Sequence, residues 1–267
     1  MSKLEKAIYE LNRMEWTAGQ SSPLHALDAR AKLLVTLLFL VTVLSLPLAD
    51  LSSLILFIVY PILSCSMAGI RYGNIVKRSL IVLPFILFIG IFNPILDRQV
   101  VFYWGSIGIT SGWISFFSIL IRGLVCVQAV FILILTTGFY NLCSGMRLLK
   151  VPSLLVTQFL FVYRYITVLL QEALNMDRAR TARSFGRKSY PVRMWGVFVG
   201  QLLIRTIERS QRIHRAMLSR GFRGTIKGIS HPVWRIRETL YLLLWAVLFG
   251  ILRFYQPAEL FSLFINF

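Results

Sequence analysis

Residues 153–185 read SLLVTQFLFVYRYITVLLQEALNMDRARTARSF, and their placement decides the fold. The stretch starts almost wholly apolar, with Leu155, Phe159, Val162, Ile166 and Leu169 recurring at helical spacing. It ends polar, with Gln171, Glu172, Asn175, Asp177, Arg178 and Arg180. A bilayer crossing through 153–170 would leave the Arg-rich stretch 178–237 outside, against the usual enrichment of Lys and Arg in cytoplasmic loops. A long amphipathic helix lying under a membrane domain accommodates both halves.

Working outward, the helix ends in the triplet Ala182-Arg183-Ser184, with Gly186 two residues on. Pro191 then opens a second helical pattern, since a missing amide costs nothing in a first turn. Val192, Trp195, Val199, Leu202, Thr206, Ser210, Ile213 and Met217 form its apolar-leaning stripe. Arg205, Arg209, Arg212 and Arg215 line another face, where Glu208 is spaced to pair with Arg205 and Arg212. This helix also ends in a small–Arg–small triplet, Ser219-Arg220-Gly221. Glycine is the residue expected at the left-handed position after a helix end. An Arg in the last turn is favoured by the helix dipole and can present its planar fork to carboxylates. One such triplet is an ordinary solvated helix end; two on consecutive long helices read as a docking device.

The 267 residues are 57% hydrophobic, and mean hydropathy is +0.70. With long apolar runs, that composition describes a polytopic membrane protein. The formal charge of +18 would suggest nucleic acid in a soluble chain. Here 18 of the 29 Lys/Arg lie between Arg147 and Arg237, and most others flank apolar runs, so they report membrane sidedness and no nucleic-acid partner.

Residues 1–30 read as a cytoplasmic segment in which Leu4, Ile8 and Leu11 recur at helical spacing and Asp28 is placed to cap the first span. A membrane domain over 31–139 holds apolar runs at about 31–48, 51–69, 79–97 and 109–139, each near or above the roughly 20 residues a crossing needs. Lys and Arg precede the first run and follow the second, which places the N-terminus inside. A coupling module over 140–238 would then be cytoplasmic, and 239–267 supplies a last span and tail. The expectation is an all-α protein with about five transmembrane helices and a cytoplasmic module of long amphipathic helices. Arg122, inside the fourth run, must face protein or water or mark a helix break beside Gly123.

Chemistry is sparse. No GxxxxGK[ST] phosphate loop, Gly-x-Ser-x-Gly or HExxH occurs, so neither ATP hydrolysis nor any other catalysis is expected of the chain. His25, His214 and His231 stand apart without ligand spacing, and Cys65, Cys126 and Cys143 read as small buried apolar residues. No metal site is expected.

The SPLHALDARAK run of Ser22–Lys32, the QFLFVYRY run of Gln158–Tyr165, Ala182-Arg183-Ser184, and the AMLSRGFRG run of Ala216–Gly224 together resemble the transmembrane (T) component of energy-coupling-factor importers, in its CbiQ-type cobalt branch. The resemblance covers nearly the whole chain. It implies that two ATP-binding cassette ATPase subunits seat on the Arg183 and Arg220 triplets, and that the bilayer part holds a membrane-embedded substrate-binding subunit with its small accessory subunit. ATP and magnesium would then sit on the ATPases, cobalt on the substrate-binding subunit, and the complex in the cell (inner) membrane. Family members usually begin the second triplet with Ala, from which Ser219 departs. A component for nickel or a vitamin is the nearest alternative. A membrane enzyme or lipid-handling protein with a basic face is the alternative from another class.

Overall fold

The computed structural model describes residues 3–20, 22–47, 51–96, 100–104, 107–183, 192–224 and 234–254. In chain order the elements are α1 (Lys3–Ala18), α2 (Ala29–Leu44), α3 (Leu51–Phe57), α4 (Val59–Ala68), α5 (Tyr72–Ser79), α6 (Leu83–Gly90) and α7 (Phe92–Leu96). There follow β1 (Val100–Trp104), β2 (Ile107–Thr110), α8 (Ser111–Thr137), α9 (Phe139–Leu148), α10 (Ser153–Arg183), α11 (Val192–Ser219) and α12 (Ile236–Phe254). The protein is an all-α polytopic membrane chain, apart from the small antiparallel β1–β2 hairpin where sequence reading placed only a loop. The β-branched and aromatic run Val100-Val101-Phe102-Tyr103-Trp104 explains the strand.

Two compact units emerge: Met1–Trp16 with Phe139–His231, and Thr17–Gly138 with Pro232–Phe267. In the second, α8 is the central post, packed by α2 and by α3 through α7. Val35, Phe39 and Val43 repeat every four residues on α2 and meet Leu54, Phe57, Tyr60, Trp245 and Phe249 in one aromatic-rich core. Phe39 stacks on Tyr60 at 4.3 Å and tilts against Phe249 at 5.4 Å. In lipid, where apolar burial between helices gains little, such close packing supplies the cohesion. The outward faces remain apolar too, with Leu37, Val41 and Leu44 exposed.

Asp28 caps α2, its carboxylate accepting from the Arg30 amide. The third apolar run, read as one span over 79–97, holds α6 and α7. α5 and the α6–α7 segment bend by 53°, with Pro84 in the first turn of α6. The fourth run holds one continuous helix, α8. Gly123 does not break α8; a Cβ there would stand 2.7 Å from Ile86 Cδ1, so glycine lets α6 approach closely. Among the described residues α8 and α10 are each long and apolar enough to cross a membrane, and the bent pair is a third candidate.

In the other unit, α9 packs on the start of α10 through Cys143, Val156 and Leu160. Phe139 stacks on Tyr163 at 4.2 Å. α1 lies along α10 in the opposite sense: Arg178 pairs with Glu5 at 2.9 Å, and the Tyr163 hydroxyl donates to Glu15 at 2.7 Å.

Candidate functional site: two long helices ending in arginine

α10 has 31 residues and α11 has 28, so each is about 40–46 Å long at 1.5 Å per residue. They cross antiparallel. Phe161 near the start of α10 meets Phe222 just past α11, ring centres 6.3 Å apart. Further along, Arg205 Nη1 donates to Glu172 Oε1 at 2.6 Å. The consequence for the triplets is geometric. Arg220 lies two residues from Phe222, beside Phe161, whereas Arg183 lies 22 residues beyond Phe161 on α10. The two arginines therefore stand on the order of 33 Å apart, at opposite ends of the pair.

The end of α11 is a defined turn. Gly221 adopts φ 78°, its amide donates to Leu218 O at 2.9 Å, and the Phe222 amide donates to Met217 O at 3.0 Å. This pair of bonds is the Schellman arrangement, which satisfies two helix-end carbonyls and makes Arg220 the last helical-side residue. Ser219 Oγ donates back to Ala216 O at 3.1 Å, so its hydroxyl is spent on its own helix. Ser219, Arg220 and Gly221 are all exposed. Ala182 and Arg183 occupy the last turn of α10 and are exposed as well; Ser184 lies outside the described residues, as do Gly186 and Pro191.

Between the helices lies an open apolar groove of about 810 Å³, lined by Phe161, Tyr165, Leu169, Ile213, Met217 and Phe222, with Arg209, His214 and Arg223 among its polar residues. On α10, Leu155, Phe159, Val162 and Ile166 are exposed, as are Trp195, Val199, Leu203 and Ile204 on α11. Leu203 and Ile204 lie outside the stripe read from sequence, in which Leu202, Thr206, Ile213 and Met217 are half-buried, as is Leu169 on α10.

Sequence spacing paired Arg205 with Glu208. The structure sends Arg205 to Glu172, and Glu208 is left with Arg212 at 3.9 Å. A contact between helices costs no strain in either one, and no spacing rule could have named it. Arg122 joins no functional cluster. Its Nη2 donates to Leu46 O at 2.9 Å and Pro47 O at 3.2 Å, while Arg253 Nη2 reaches Ser45 O at 3.1 Å. Two guanidinium groups from α8 and α12 thus close the carbonyl end of α2, where a helix dipole favours positive charge. Among the described residues no group of His, Cys, Asp or Glu is arranged to hold a metal.

At the other end of α2, Lys32 is buried and donates to Thr136 O at 3.0 Å and His25 O at 3.3 Å. His25 Nε2 donates to Thr17 O at 3.1 Å, and Nδ1, 2.6 Å from Ser22 Oγ, accepts from that hydroxyl. Burial, and then the Lys32 charge, lower the imidazole below its ordinary pKa. The SPLHALDARAK run is thereby a rigid connector ahead of α2.

A family model described as cobalt transport protein, CbiQ, matches residues 20–232. An uncharacterised protein of Methanocaldococcus jannaschii is 30% identical over 237 residues, 84% of this chain and 79% of its own length. The nickel permease LarQ of Lactiplantibacillus plantarum is 30% identical over 90 residues, 34% of this chain and 33% of LarQ. The cobalt transport protein CbiQ of Salmonella typhimurium is 33% identical over 114 residues, 42% of this chain and 49% of that protein.

Proposed function

This chain belongs to the CbiQ family of cobalt transport proteins, and from that premise we propose that it is the coupling (T) subunit of an ATP-driven importer of the energy-coupling-factor type. The observation that carries the reading is the pair of exposed arginines, Arg183 and Arg220, at opposite ends of two crossed helices. Each triplet, Ala182-Arg183-Ser184 and Ser219-Arg220-Gly221, seats one of two ATPase subunits on the cytoplasmic side of the cell membrane. ATP-driven closure of the ATPases shifts the ends of α10 and α11 and so moves the groove between them. A membrane-embedded substrate-binding subunit, with its small accessory subunit, rides on the uncovered apolar faces. The chain itself is non-catalytic: it binds neither ATP, which with magnesium belongs to the ATPases, nor the metal, which belongs to the substrate-binding subunit.

The cargo proposed first is cobalt, following the family description. The similarity to a nickel permease makes nickel the second reading.

Co-purification of the ATPases with variants of this chain tests the docking role. Removing one partner of a desolvated charge pair costs about 2–5 kcal/mol. Arg183→Ala or Arg220→Ala is therefore expected to weaken ATPase binding about thirty-fold or more and to abolish uptake, while the chain still inserts. Lys at either position restores binding only in part, because an ammonium lacks the two-pronged geometry. Arg212→Ala, at an exposed pair, is the neutral control. Full ATPase binding and uptake by the Arg183→Ala, Arg220→Ala double variant would refute the proposal.

A further inference from the structure

Between Asp50 and Asp97 the chain carries three bases, Arg71, Lys77 and Arg78, and no acid. Lys77 and Arg78 lie on α5, and Arg71 is its N-cap. The inner face of α5 is set by Ile75 and Ser79, both buried. α4 and α8 pack against that helix, and neither of them contains a carboxylate. Arg71, Asn74 and Lys77 follow one another at spacings of three and are all exposed, so they form a row on the outer face. Among the described residues, neither Arg71 nor Lys77 pairs with an acid. Arg78 is half-buried and lies off this row.

The row continues into apolar surface. Ile81 follows Lys77 by four residues, and Phe85 and Phe88 follow at four and three. These side chains are 77%, 67% and 67% exposed. The 53° bend after α5 falls where the row turns from polar to apolar. Its depth is set by α8, along which α6 runs antiparallel. A Cβ on Gly90 would stand 3.0 Å from Phe116, and one on Gly123 would meet Ile86. The Tyr72 hydroxyl donates to Gln128 Oε1 at 2.9 Å, so α5 lies toward the C-terminal end of α8. Its bases thus stand at the border of an apolar segment, where long cationic side chains reach for the headgroups. Any lipid-facing surface offers apolar side chains. Here two cations without a carboxylate and an amide donor also stand above one apolar row. That combination complements a phosphate with acyl chains beneath it. A zwitterionic headgroup would bring its own cation beside the bases, whereas phosphatidylglycerol brings the phosphate charge alone. We infer that Arg71, Asn74 and Lys77 hold the phosphate of an anionic phospholipid whose acyl chains lie along Ile81, Phe85 and Phe88.

The test places a fluorophore on a cysteine introduced at Ile81, and separately at Leu244 on the exposed face of α12. The full chain is used, with Cys65, Cys126 and Cys143 replaced by Ala, in vesicles of phosphatidylcholine and phosphatidylglycerol in equal amounts. Bromine, a contact quencher, is carried on the acyl chains of one lipid or the other. At Ile81 brominated phosphatidylglycerol should quench several-fold more than brominated phosphatidylcholine, while at Leu244 the two should quench alike. Arg71→Gln with Lys77→Gln should erase the preference at Ile81, and Arg71→Lys with Lys77→Arg should keep it. Equal quenching by the two lipids at Ile81 overturns the inference. So does a preference that survives the double Gln variant or is as large at Leu244, since the overall positive charge would then be its source. If neither lipid quenches at Ile81, the face is a protein-docking one and the inference falls.

Discussion

Arg205 and Glu172 join α11 to α10 with a 2.6 Å bond between Nη1 and Oε1. The pair lies part-way along both helices, between the Phe161–Phe222 contact and the Arg183 end. Its side chains are 57% and 29% exposed, so water screens it and its contribution to stability is about 0–1 kcal/mol. Its consequence is the register in which the helices cross.

Glu172→Gln is therefore expected to leave the unfolding midpoint nearly unchanged while lowering uptake several-fold. The exchange Glu172→Arg with Arg205→Glu should recover much of that loss. Uptake assays beside thermal scans separate the two effects. A large drop in midpoint with normal uptake would contradict the assignment.

Gly221 is a second lever. No atom lies within 4 Å of a Cβ built there, yet its φ of 78° is disfavoured for a side-chain-bearing residue. Gly221→Val should cost about 1–2 kcal/mol through backbone strain alone. It should also re-aim Arg220 and loosen Phe222 from Phe161. ATPase binding should weaken although Arg220 is intact, and Gly221→Asn should do less harm than Val because Asn tolerates the left-handed region. Co-purification with each variant provides the readout.

Arg122→Ala removes a donor from the carbonyls of Leu46 and Pro47 and should destabilise the membrane unit by about 1–3 kcal/mol. Arg253→Ala acts on the same helix end through Ser45. The two losses should be non-additive, since the guanidinium groups bind adjacent carbonyls, Ser45 on one side and Leu46 and Pro47 on the other, of one short turn after α2. Thermal unfolding of the single and double variants in detergent measures the coupling. Strict additivity would separate the two roles.

His25 sets a pH dependence. Its pKa is lowered on folding, so the unfolded chain binds the proton more readily than the folded one. The contribution is fully present above the ordinary value of 6.5 and is lost as pH falls below it. Protonation at Nδ1 would also remove the acceptor used by Ser22. Stability should decline on acidification below about pH 6.5, and His25→Gln should flatten that decline. Midpoints measured across the range decide it.

Much of this protein follows from rules that act within a few residues. Asp28 capping α2 and Gly221 closing α11 are local: a carboxylate beside free amides, and a residue without Cβ where φ must be positive. The long apolar runs and the exposed stripe Leu155–Phe159–Val162–Ile166 likewise need only helical periodicity and the chemistry of lipid. Other features depend on which helix crosses which. Gly123 admitting Ile86 arises where two helices approach more closely than their spacing reveals. Arg122 was legible as a costly charge in an apolar run, but its partners belong to the end of α2, 75 and 76 residues away. Arg205 had a carboxylate within its own helix at suitable spacing and bound one on α10 instead. Charged side chains are long and their attractions undirected, so only tertiary packing, which fixes the distances between helices, could choose among their partners.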